Sequence, residues 1–382
     1  MTGTQQKADV LTYTRMFLRR YHVLSNIIRQ HHGLTPTSIC NLSEGSACII
    51  GTVQNKRSTK NGHVMLTIED PTGTLRVLIN ASHPEFKETR NIVEDGCIGI
   101  IGDCRRDILF TERFYPPDVP EHPLRTGRGR IACLGDFHYG SRHFLHEEFA
   151  NMLTWLKDSS IEHVIIAGDL VEGVGEYPGQ EKDLDIKDIR VQYEKLAEML
   201  SMLKGKTIWI IPGNHDATRI GEPQPPISSE YAARLSELPN VRLLPSPATV
   251  EIGGLRILIY HGFSIPYYAD FLGGLEHTDE VLKLLLKNRH LAPTYTSNQC
   301  IPQDTDPLLI DEVPDVFITG HTHTATHLEY HGVTCINASC WIGETEYQQR
   351  RGIKPDPAKI FILDCATREA MIEDFTAVSR KE

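Results

Sequence analysis

Five short apolar runs in the second half of the chain each end in residues that can bind a metal ion. The residues that follow the runs are Asp136-Phe-His138, Gly168-Asp169, Gly213-Asn-His-Asp216, His261-Gly262 and Gly320-His-Thr-His323. Short, nearly continuous runs rich in valine and isoleucine are typical of strands buried on both faces. Because ligands collect beyond the carboxyl ends of such strands, we expect all five loops at one edge of one sheet.

Amphipathic stretches at residues 146–157 and 191–204 separate some of these runs, as in alternating strand–helix units. The fold class predicted for residues 130–382 is therefore an α/β domain of layered β-sheets flanked by helices. A single Asp-x-His or Gly-Asp would be ordinary loop and turn chemistry. All five motifs in this order indicate instead a phosphoesterase that uses two metal ions.

The five loops offer a set of oxygen and nitrogen ligands. These candidate metal ligands are Asp136, His138, Asp169, Asn214, His261, His321 and His323. Carboxylate, imidazole and amide ligands without thiolate suit Mn, Mg, Fe or Zn, with Mn as the first choice. One shared carboxylate, most plausibly that of Asp169, would hold two cations roughly 3.5–4 Å apart and so activate a water for in-line attack at phosphorus. His215, beside Asn214, is the natural general acid for the leaving oxygen.

With every position of its metal motifs filled, the chain resembles the calcineurin-like metallophosphoesterase superfamily. The resemblance implies one metal held by Asp136, His138, Asp169 and His323, and a second held by Asp169, Asn214, His261 and His321. It also implies His215 as the acid. In some members an acidic residue three places after the shared Asp orients that histidine, and this position is Glu172 here.

Residues 41–118 are predicted to form a separate β domain. The strand candidates are Ser46–Gln54, His63–Glu69, Gly73–Ile79, Cys97–Gly102 and Ile108–Phe114. A turn at Asn61-Gly62 and a short helix at about residues 84–88 interrupt them. This pattern predicts an OB-type barrel, a fold used for oligonucleotides, although other small barrels fit as well. Because aromatic residues for base stacking are sparse here, a structural or partner-binding role is favoured.

Three further segments complete the predicted organisation. Residues 1–40 form a helical leader, with an amphipathic helix from about Val10 to Gln30 that packs on its own chain or, second, on a partner. The Pro- and Gly-rich residues 119–129 form a linker to the α/β domain. Residues 266–306 contain Tyr267-Tyr268 and a helix from about Asp279 to Asn288, and they could either cover the site or dock a partner.

Composition narrows the setting of the protein. No apolar run reaches the roughly 18 residues of a membrane span, and Met1–Ala8 lacks the core of a signal peptide, so a cytoplasmic location is expected. The nine cysteines show no Cys-x-x-Cys spacing, which favours buried, reduced thiols. The net charge of −11 argues against a generally basic nucleic-acid-binding surface. Basic patches such as Arg15 with Arg19-Arg20 are first interpreted as solvated surface.

The order of leader, barrel, linker and phosphoesterase domain resembles the B-subunit family of replicative DNA polymerases, most closely the small subunits of archaeal family D. The segments that carry this resemblance are Asn61-Gly-His63, Ile68–Gly73, Asp136–Ser141, Trp341 and Thr345–Gln348. The family implies a 3′→5′ proofreading exonuclease that also serves as a scaffold for a polymerizing large subunit. The implied partners are DNA 3′ ends, single-stranded or mismatched, the large subunit and a sliding clamp, with no membrane partner.

Two other functions stay open at this point. Eukaryotic B-subunits that the chain also resembles have lost the metal ligands and act as scaffolds, whereas no ligand position is missing here. A catalytically silent scaffold is therefore the first alternative. A phosphatase for small phosphomonoesters is the second, although an added barrel would be surplus to that activity.

Overall fold

The computed structural model describes residues 10–351 and 353–376. Its helices are α1 (Val10–His32), α2 (His146–Asp158), α3 (Ile189–Leu200), α4 (Ala233–Ser236), α5 (Ile265–Leu272), α6 (Thr278–Asn288) and α7 (Glu346–Arg351). The first strands are β1 (Gly45–Ser58), β2 (Val64–Asp70), β3 (Gly73–Ile79), β4 (Cys97–Arg105) and β5 (Ile108–Tyr115). The later strands are β6 (Arg130–Leu134), β7 (His163–Ala167), β8 (Thr207–Ile211), β9 (Val241–Leu243), β10 (Ala248–Ile252), β11 (Leu255–Ile259), β12 (Val316–Thr319), β13 (Thr326–Tyr330), β14 (Val333–Asn337), β15 (Lys359–Asp364) and β16 (Ala370–Asp374).

The described chain divides into two compact units. One unit comprises residues up to Pro120 together with Lys283–Glu312, and the other comprises Glu121–Leu282 together with the residues from Val313 onward. The first unit therefore takes in a segment that the boundaries proposed from sequence place in the α/β domain. Within the described ranges, no helix has both the length and the apolar character that crossing a membrane requires.

In the first unit, β1–β5 form a closed barrel with the strand order β1-β2-β3-β5-β4. Strands β3 and β5 pair in parallel, and the other neighbours are antiparallel. Alternate residues of β1 and β2, such as Ile49, Leu66 and Ile68, point into the buried core, as period-2 patterning requires. β1 is longer than the predicted strand and carries a register shift between Val53 and Asn55, where a bulge lets one strand bend around the barrel.

Helix α1 packs one face against this barrel. Leu24 and Ile28, with Leu34 just after the helix, form a buried cluster with Ile50 and Cys97 of the barrel. The approach is close enough that a Cβ atom on Gly99 of β4 would lie 2.8 Å from Leu34 and 2.9 Å from Ile28. The amphipathic pattern of the leader is thus used for packing on its own chain.

A buried charged cluster joins α1 to the segment Lys283–Glu312. Arg20 is 4% exposed, and its Nε donates to Oδ2 of Asp306 at 2.6 Å. Nε2 of His290, also buried, lies 3.0 Å from the same oxygen, and a second guanidinium nitrogen of Arg20 donates to the carbonyl of Pro293. The interpretation of Arg20 as part of a solvated basic patch is therefore wrong, because its helix face is covered by this segment.

Removing Arg20 should destabilise the first unit strongly. Arg20→Ala leaves the Asp306 carboxylate buried beside a lone histidine, a change that costs about 3–5 kcal/mol in comparable buried pairs. Burial disfavours the charged carboxylate, but His290 and Arg20 hold the pKa of Asp306 well below its usual range. This contribution to stability is therefore present above about pH 4 and is lost as the pH falls below it. Urea unfolding at pH 7 should show the loss, with the exposed Arg19→Ala as a control that changes stability little.

The second unit contains two β-sheets packed face to face. One has the order β16-β15-β6-β7-β8-β9, and the other has the order β10-β11-β12-β14-β13. β6 to β9 are parallel neighbours, as are β11, β12 and β14. Apolar residues from both sheets, including Ile131, Ile165, Ile257 and Ile318, share one buried cluster.

The expectation that all five ligand-bearing strands share a single sheet is wrong. β6, β7 and β8 belong to the six-stranded sheet, whereas β11 and β12 belong to the five-stranded sheet. An apolar run records that a strand is buried on both faces, but not which neighbour it pairs with. The carboxyl ends still converge, since Nδ1 of His261, after β11, lies 2.8 Å from the carbonyl oxygen of Ala167 at the end of β7.

Helices α2 and α3 cover the outer face of the six-stranded sheet. Phe149 and Leu153 of α2 and Tyr193 and Leu196 of α3 pack with the residues of β6, β7 and β8 that face away from the second sheet. Helix α3 ends at Leu200 and continues as a short 3-10 turn, four residues before the predicted end. The nine cysteines are free thiols and most are buried, as their positions in apolar runs predicted.

Candidate metal centre

The loops that follow the ligand-bearing strands hold their polar residues in an unusual backbone conformation. The φ angles of Asp136, His138, Asp169, His321 and His323 lie between 50° and 70°. This left-handed region costs a non-glycine residue roughly 1–2 kcal/mol, and residues held there cluster at functional sites. All five residues lie in the loops that follow β6, β7 and β12.

Three of the predicted ligands meet at one end of the site. Ligand atoms of Asp136, His138 and His323 all lie within 4.8 Å of one another. Nε2 of His138 is 3.1 Å from Nε2 of His323, and the latter is 3.7 Å from Oδ1 of Asp136. The main-chain N–H of His321 donates to both carboxylate oxygens of Asp136 at 2.9 Å. Two imidazole nitrogens thus face each other beside a carboxylate. Ligands of a common cation have this arrangement.

A second group adjoins the first. Ligand atoms of Asp169, His261 and His321 also lie within 4.8 Å of one another. Nε2 of His261 is 3.4 Å from Oδ2 of Asp169 and 3.0 Å from Oδ1 of Asn214. The same Oδ2 of Asp169 is 3.6 Å from Nε2 of His138 in the first group. All seven predicted ligands are therefore brought together, with Asp169 between the two groups.

Three glycines make room for these donor atoms. A Cβ atom would lie 2.2 Å from Oδ1 of Asp169 if placed on Gly213, and 2.5 Å from Oδ2 of Asp136 if placed on Gly320. On Gly168 it would lie 2.6 Å from Nδ1 of His261. No side chain fits at such distances, so each glycine is required by the close approach of a donor side chain.

The predicted acid His215 stands at the edge of the first group and is half-buried. One of its ring nitrogens lies within 4.8 Å of ligand atoms of His138 and Asp169, and its main-chain N–H donates to Oδ1 of Asp169 at 2.8 Å. Nδ1 of His215 is 2.8 Å from the main-chain carbonyl oxygen of Glu172. A carbonyl oxygen only accepts, so Nδ1 carries a hydrogen and Nε2 is left to exchange a proton.

The Glu172 carboxylate was considered as the group that orients His215, and the structure corrects this. Its main-chain oxygen, not its side chain, orients His215. The carboxylate instead lies 3.0 Å from Nδ1 of His138, where it fixes the ring so that Nε2 faces the other donors. A glutamate is longer than an aspartate, and here its carboxylate reaches the ring of His138.

Two residues of the site escaped the sequence interpretation. Asp216 is buried, and its carboxylate accepts the main-chain N–H groups of Gly213 and Leu170 and the hydroxyl of Tyr193. It thereby ties the loop after β8 to the loop after β7. Its place in the Gly-Asn-His-Asp motif was the available signal. Gln348, buried, lies 2.9 Å from Nδ1 of His323, and only its position in the segment 345–348 could have pointed to it.

The buried carboxylates of the site create a strong demand for positive charge. Burial raises the pKa of Asp136 to about 7, and the neighbouring Asp169 adds to this. Burial opposes protonation of His138 and His261, but nearby carboxylates raise their pKa values to about 9 and about 10. In contrast, burial and the adjacent His261 lower the pKa of His321 to about 3. A field that draws protons onto buried imidazoles also favours divalent cations.

The donor set fits divalent metal ions. It combines carboxylate, imidazole and amide ligands in a buried cleft, and no cysteine is among the clustered donors of the described residues. Several of the donor side chains are held by a second hydrogen bond, as His138 is by Glu172 and His261 by Ala167. Oriented donors of this kind are the usual surroundings of a metal site.

Comparison with known proteins places the chain in a family. Residues 131–327, more than half of the chain, match the model for the B-subunits of DNA polymerases alpha and epsilon. The DNA polymerase II small subunit of Methanothermobacter thermautotrophicus is 35% identical over an alignment of 375 positions, which covers 93% of this chain and 77% of that protein. That of Halobacterium salinarum is 36% identical over an alignment of 395 positions, which covers 98% of this chain and 76% of that protein.

Among solved structures the likeness is more distant. An archaeal phosphodiesterase is 20% identical with a TM-score of 0.34, and the alignment covers 64% of this chain and 98% of that one. The small subunits are more similar in sequence, and their alignments cover a larger share of this chain. The chain belongs to the B-subunit family of DNA polymerases, among the archaeal DNA polymerase small subunits.

Proposed function

We propose that this chain is a metal-dependent 3′→5′ exonuclease that removes mispaired nucleotides for a polymerizing large subunit. One observation carries the proposal: a member of the polymerase B-subunit family brings all seven candidate ligands and a poised histidine into one buried cleft. A protein that served only as a scaffold would have no use for such a cluster. The three glycines and the left-handed backbone of the ligand residues would likewise lower the stability of a scaffold and bring it no advantage.

The arrangement supports two metal positions that share Asp169. We assign one position to Asp136, His138, Asp169 and His323, and the other to Asp169, Asn214, His261 and His321. When bound, two divalent cations would supply an activated water and neutralise charge on the phosphoryl oxygens. Mn is our first choice for both positions, because it accepts mixed oxygen and nitrogen ligands.

The residues of the chain would handle the leaving group and the geometry. His215, held through Nδ1 by the carbonyl of Glu172, would protonate the 3′ oxygen of the new primer end from Nε2. The hydrogen bond from its main chain to Asp169 would hold His215 beside the proposed metal positions. Frayed or mispaired 3′ ends would be preferred, since less energy is needed to separate them from the template.

The first unit would serve assembly rather than chemistry. Its closed barrel, with β3 parallel to β5, supports the OB-type assignment, and we retain residues 41–118 as that domain and 119–129 as a linker. The small subunits to which the chain is related are named as parts of a DNA polymerase. We therefore propose a large catalytic subunit as the permanent partner, DNA 3′ ends as substrate and a sliding clamp as a further contact.

The test is hydrolysis of end-labelled DNA. Purified chain with Mn²⁺, alone and with the large subunit, is given 5′-labelled single-stranded DNA and a primer with a 3′ mismatch. Stepwise loss of 3′ mononucleotides, faster from the mismatched primer than from a paired one, is expected. Absence of cleavage by a metal-loaded chain in either state would favour the silent scaffold. Turnover of aryl phosphomonoesters without DNA cleavage would favour the phosphatase.

A change at Glu172 should weaken metal binding without removing a ligand. Glu172→Gln replaces the carboxylate that receives the Nδ1 hydrogen of His138, and comparable changes cost about 10- to 100-fold in metal affinity or activity. Titration with Mn²⁺, followed by bound-metal analysis, should show this loss. The nearby exposed Glu181→Gln makes the same chemical change and should bind as the unaltered protein does. Equal affinities in the two variants would remove Glu172 from the site.

A further inference from the structure

A row of aromatic side chains leads away from the metal centre along α5. Phe263, between ligand His261 and the helix, has its ring centroid 5.7 Å from that of His321. The rings of Tyr267 and Phe271, one helical turn apart, are 5.2 Å apart and packed edge to face. We call Phe263, Tyr267 and Phe271 the aromatic row.

The exposure of the row rises with distance from the metal centre. Phe263 and Tyr267 are half-buried, whereas Phe271 is 73% exposed. The opposite face of α5 is fully packed, because Ile265, Tyr268 and Ala269 are buried. The outward face of a surface helix is normally polar. Single exposed apolar side chains are common, but this row begins beside a ligand histidine and has one ring pair in contact.

We propose that the aromatic row is a stacking platform for the unpaired bases next to the scissile 3′ phosphodiester. The inference rests on the proposed exonuclease function, which places that phosphodiester at His321 and its neighbours. Tyr267 and Phe271 lie one turn apart on α5, about 6 Å at the rise of a helix, and Phe263 extends the row toward the metal centre. Aromatic rings bind any base through its face, so they suit an enzyme that must accept every 3′ sequence.

The net charge of the chain indicates that it would bind unpaired DNA through the bases rather than through the phosphates. With a net charge of −11, a broad electrostatic grip on the DNA backbone is not available. Stacking requires unpaired bases, and paired ends hide the faces of their bases within the duplex. The platform would therefore also favour frayed and mispaired ends over matched ones.

The test compares Phe271→Ala with two matched variants of the full chain in complex with its large subunit. Phe271→Trp keeps a stacking ring, and Ile372→Ala removes another exposed apolar side chain (45% exposed) from the edge strand β16. Binding of a fluorescent single-stranded oligonucleotide is measured by anisotropy. Hydrolysis is measured on that oligonucleotide and on methyl 4-nitrophenyl phosphate, a phosphodiester without bases.

Phe271→Ala should weaken oligonucleotide binding and raise the KM for oligonucleotide hydrolysis by about tenfold. The rate of hydrolysis of the small phosphodiester should not change. Phe271→Trp and Ile372→Ala should behave as the unaltered complex does. The tenfold effect should persist at higher salt, because stacking releases no counterions. Unchanged DNA binding in Phe271→Ala would overturn the inference, and so would weaker assembly with the large subunit without a DNA effect. Failure of the unaltered complex to cleave DNA would overturn the proposed exonuclease activity instead. The anisotropy measurements would still show whether the aromatic row binds unpaired bases.

Discussion

Asp169→Asn is expected to lower the rate of DNA hydrolysis by about a thousandfold or more and to reduce bound metal to at most one ion. Asp169 adjoins both groups of donors, with Oδ2 3.6 Å from Nε2 of His138 and 3.4 Å from Nε2 of His261. An amide can offer one neutral oxygen there, but not the shared negative charge. Losing several kcal/mol of transition-state stabilisation corresponds to a rate effect of this size.

Metal content and rate should be measured on the same preparation of Asp169→Asn. Asp158→Asn, at the exposed end of α2, makes the same change of charge and should leave both quantities as they are. Unfolding curves identify any general loss of stability, which is expected to be small because asparagine tolerates the left-handed backbone at this position. Full activity with two bound ions in Asp169→Asn would refute the shared-ligand assignment.

His215→Ala is expected to slow DNA hydrolysis by about 10²- to 10⁴-fold, the usual contribution of a positioned general acid. The protein should still bind two metal ions, because none of the proposed ligands is removed. His215 is only half-buried, so the substitution should cost little stability. Rates under metal-saturating conditions, together with bound-metal analysis, separate an effect on proton transfer from an effect on metal binding.

The leaving group gives the sharper test of His215. The 3′ oxygen of DNA needs a proton to depart, whereas 4-nitrophenolate departs without one. His215→Ala should therefore lose much less activity on methyl 4-nitrophenyl phosphate than on DNA. His327→Ala, on the exposed side of strand β13, serves as the histidine control. Equal losses on both substrates would mean that His215 positions the phosphodiester and does not donate a proton.

The strands of the fold were predictable because their apolar runs are short and bounded by polar motifs. The apolar runs before Asp136, Asp169 and Asn214, at residues 130–134, 163–167 and 207–211, have the same bounds as β6, β7 and β8. What sequence could not supply is long-range pairing. Whether β11 continues the first sheet or opens a second depends on the antiparallel pairing of β10 with β11 and on face-to-face packing, which leave no mark on a single run. The same holds for Lys283–Glu312, whose tie to Arg20 spans 286 positions in the chain.

The sequence predicted which residues form the candidate site, but it predicted less well which hydrogen bonds join them. All seven proposed ligands and His215 were identified from their motifs, because metal chemistry restricts which residue types can serve. The contacts of Glu172, Asp216 and Gln348 were not predictable, since each forms hydrogen bonds to a loop distant in sequence. A carboxylate three residues from a ligand looks the same in sequence whether it faces His138 or His215.

The left-handed backbone at Asp136, His138, Asp169, His321 and His323 has a consequence for descent within the family. A lineage that lost these candidate metal ligands but kept the backbone would still inherit the five left-handed residues. Glycine, asparagine and aspartate accept such a bend, whereas valine, isoleucine and threonine resist it. Relatives without the metal ligands should therefore carry small or short polar residues at these five positions. A lost metal centre could then still be recognised from their sequences.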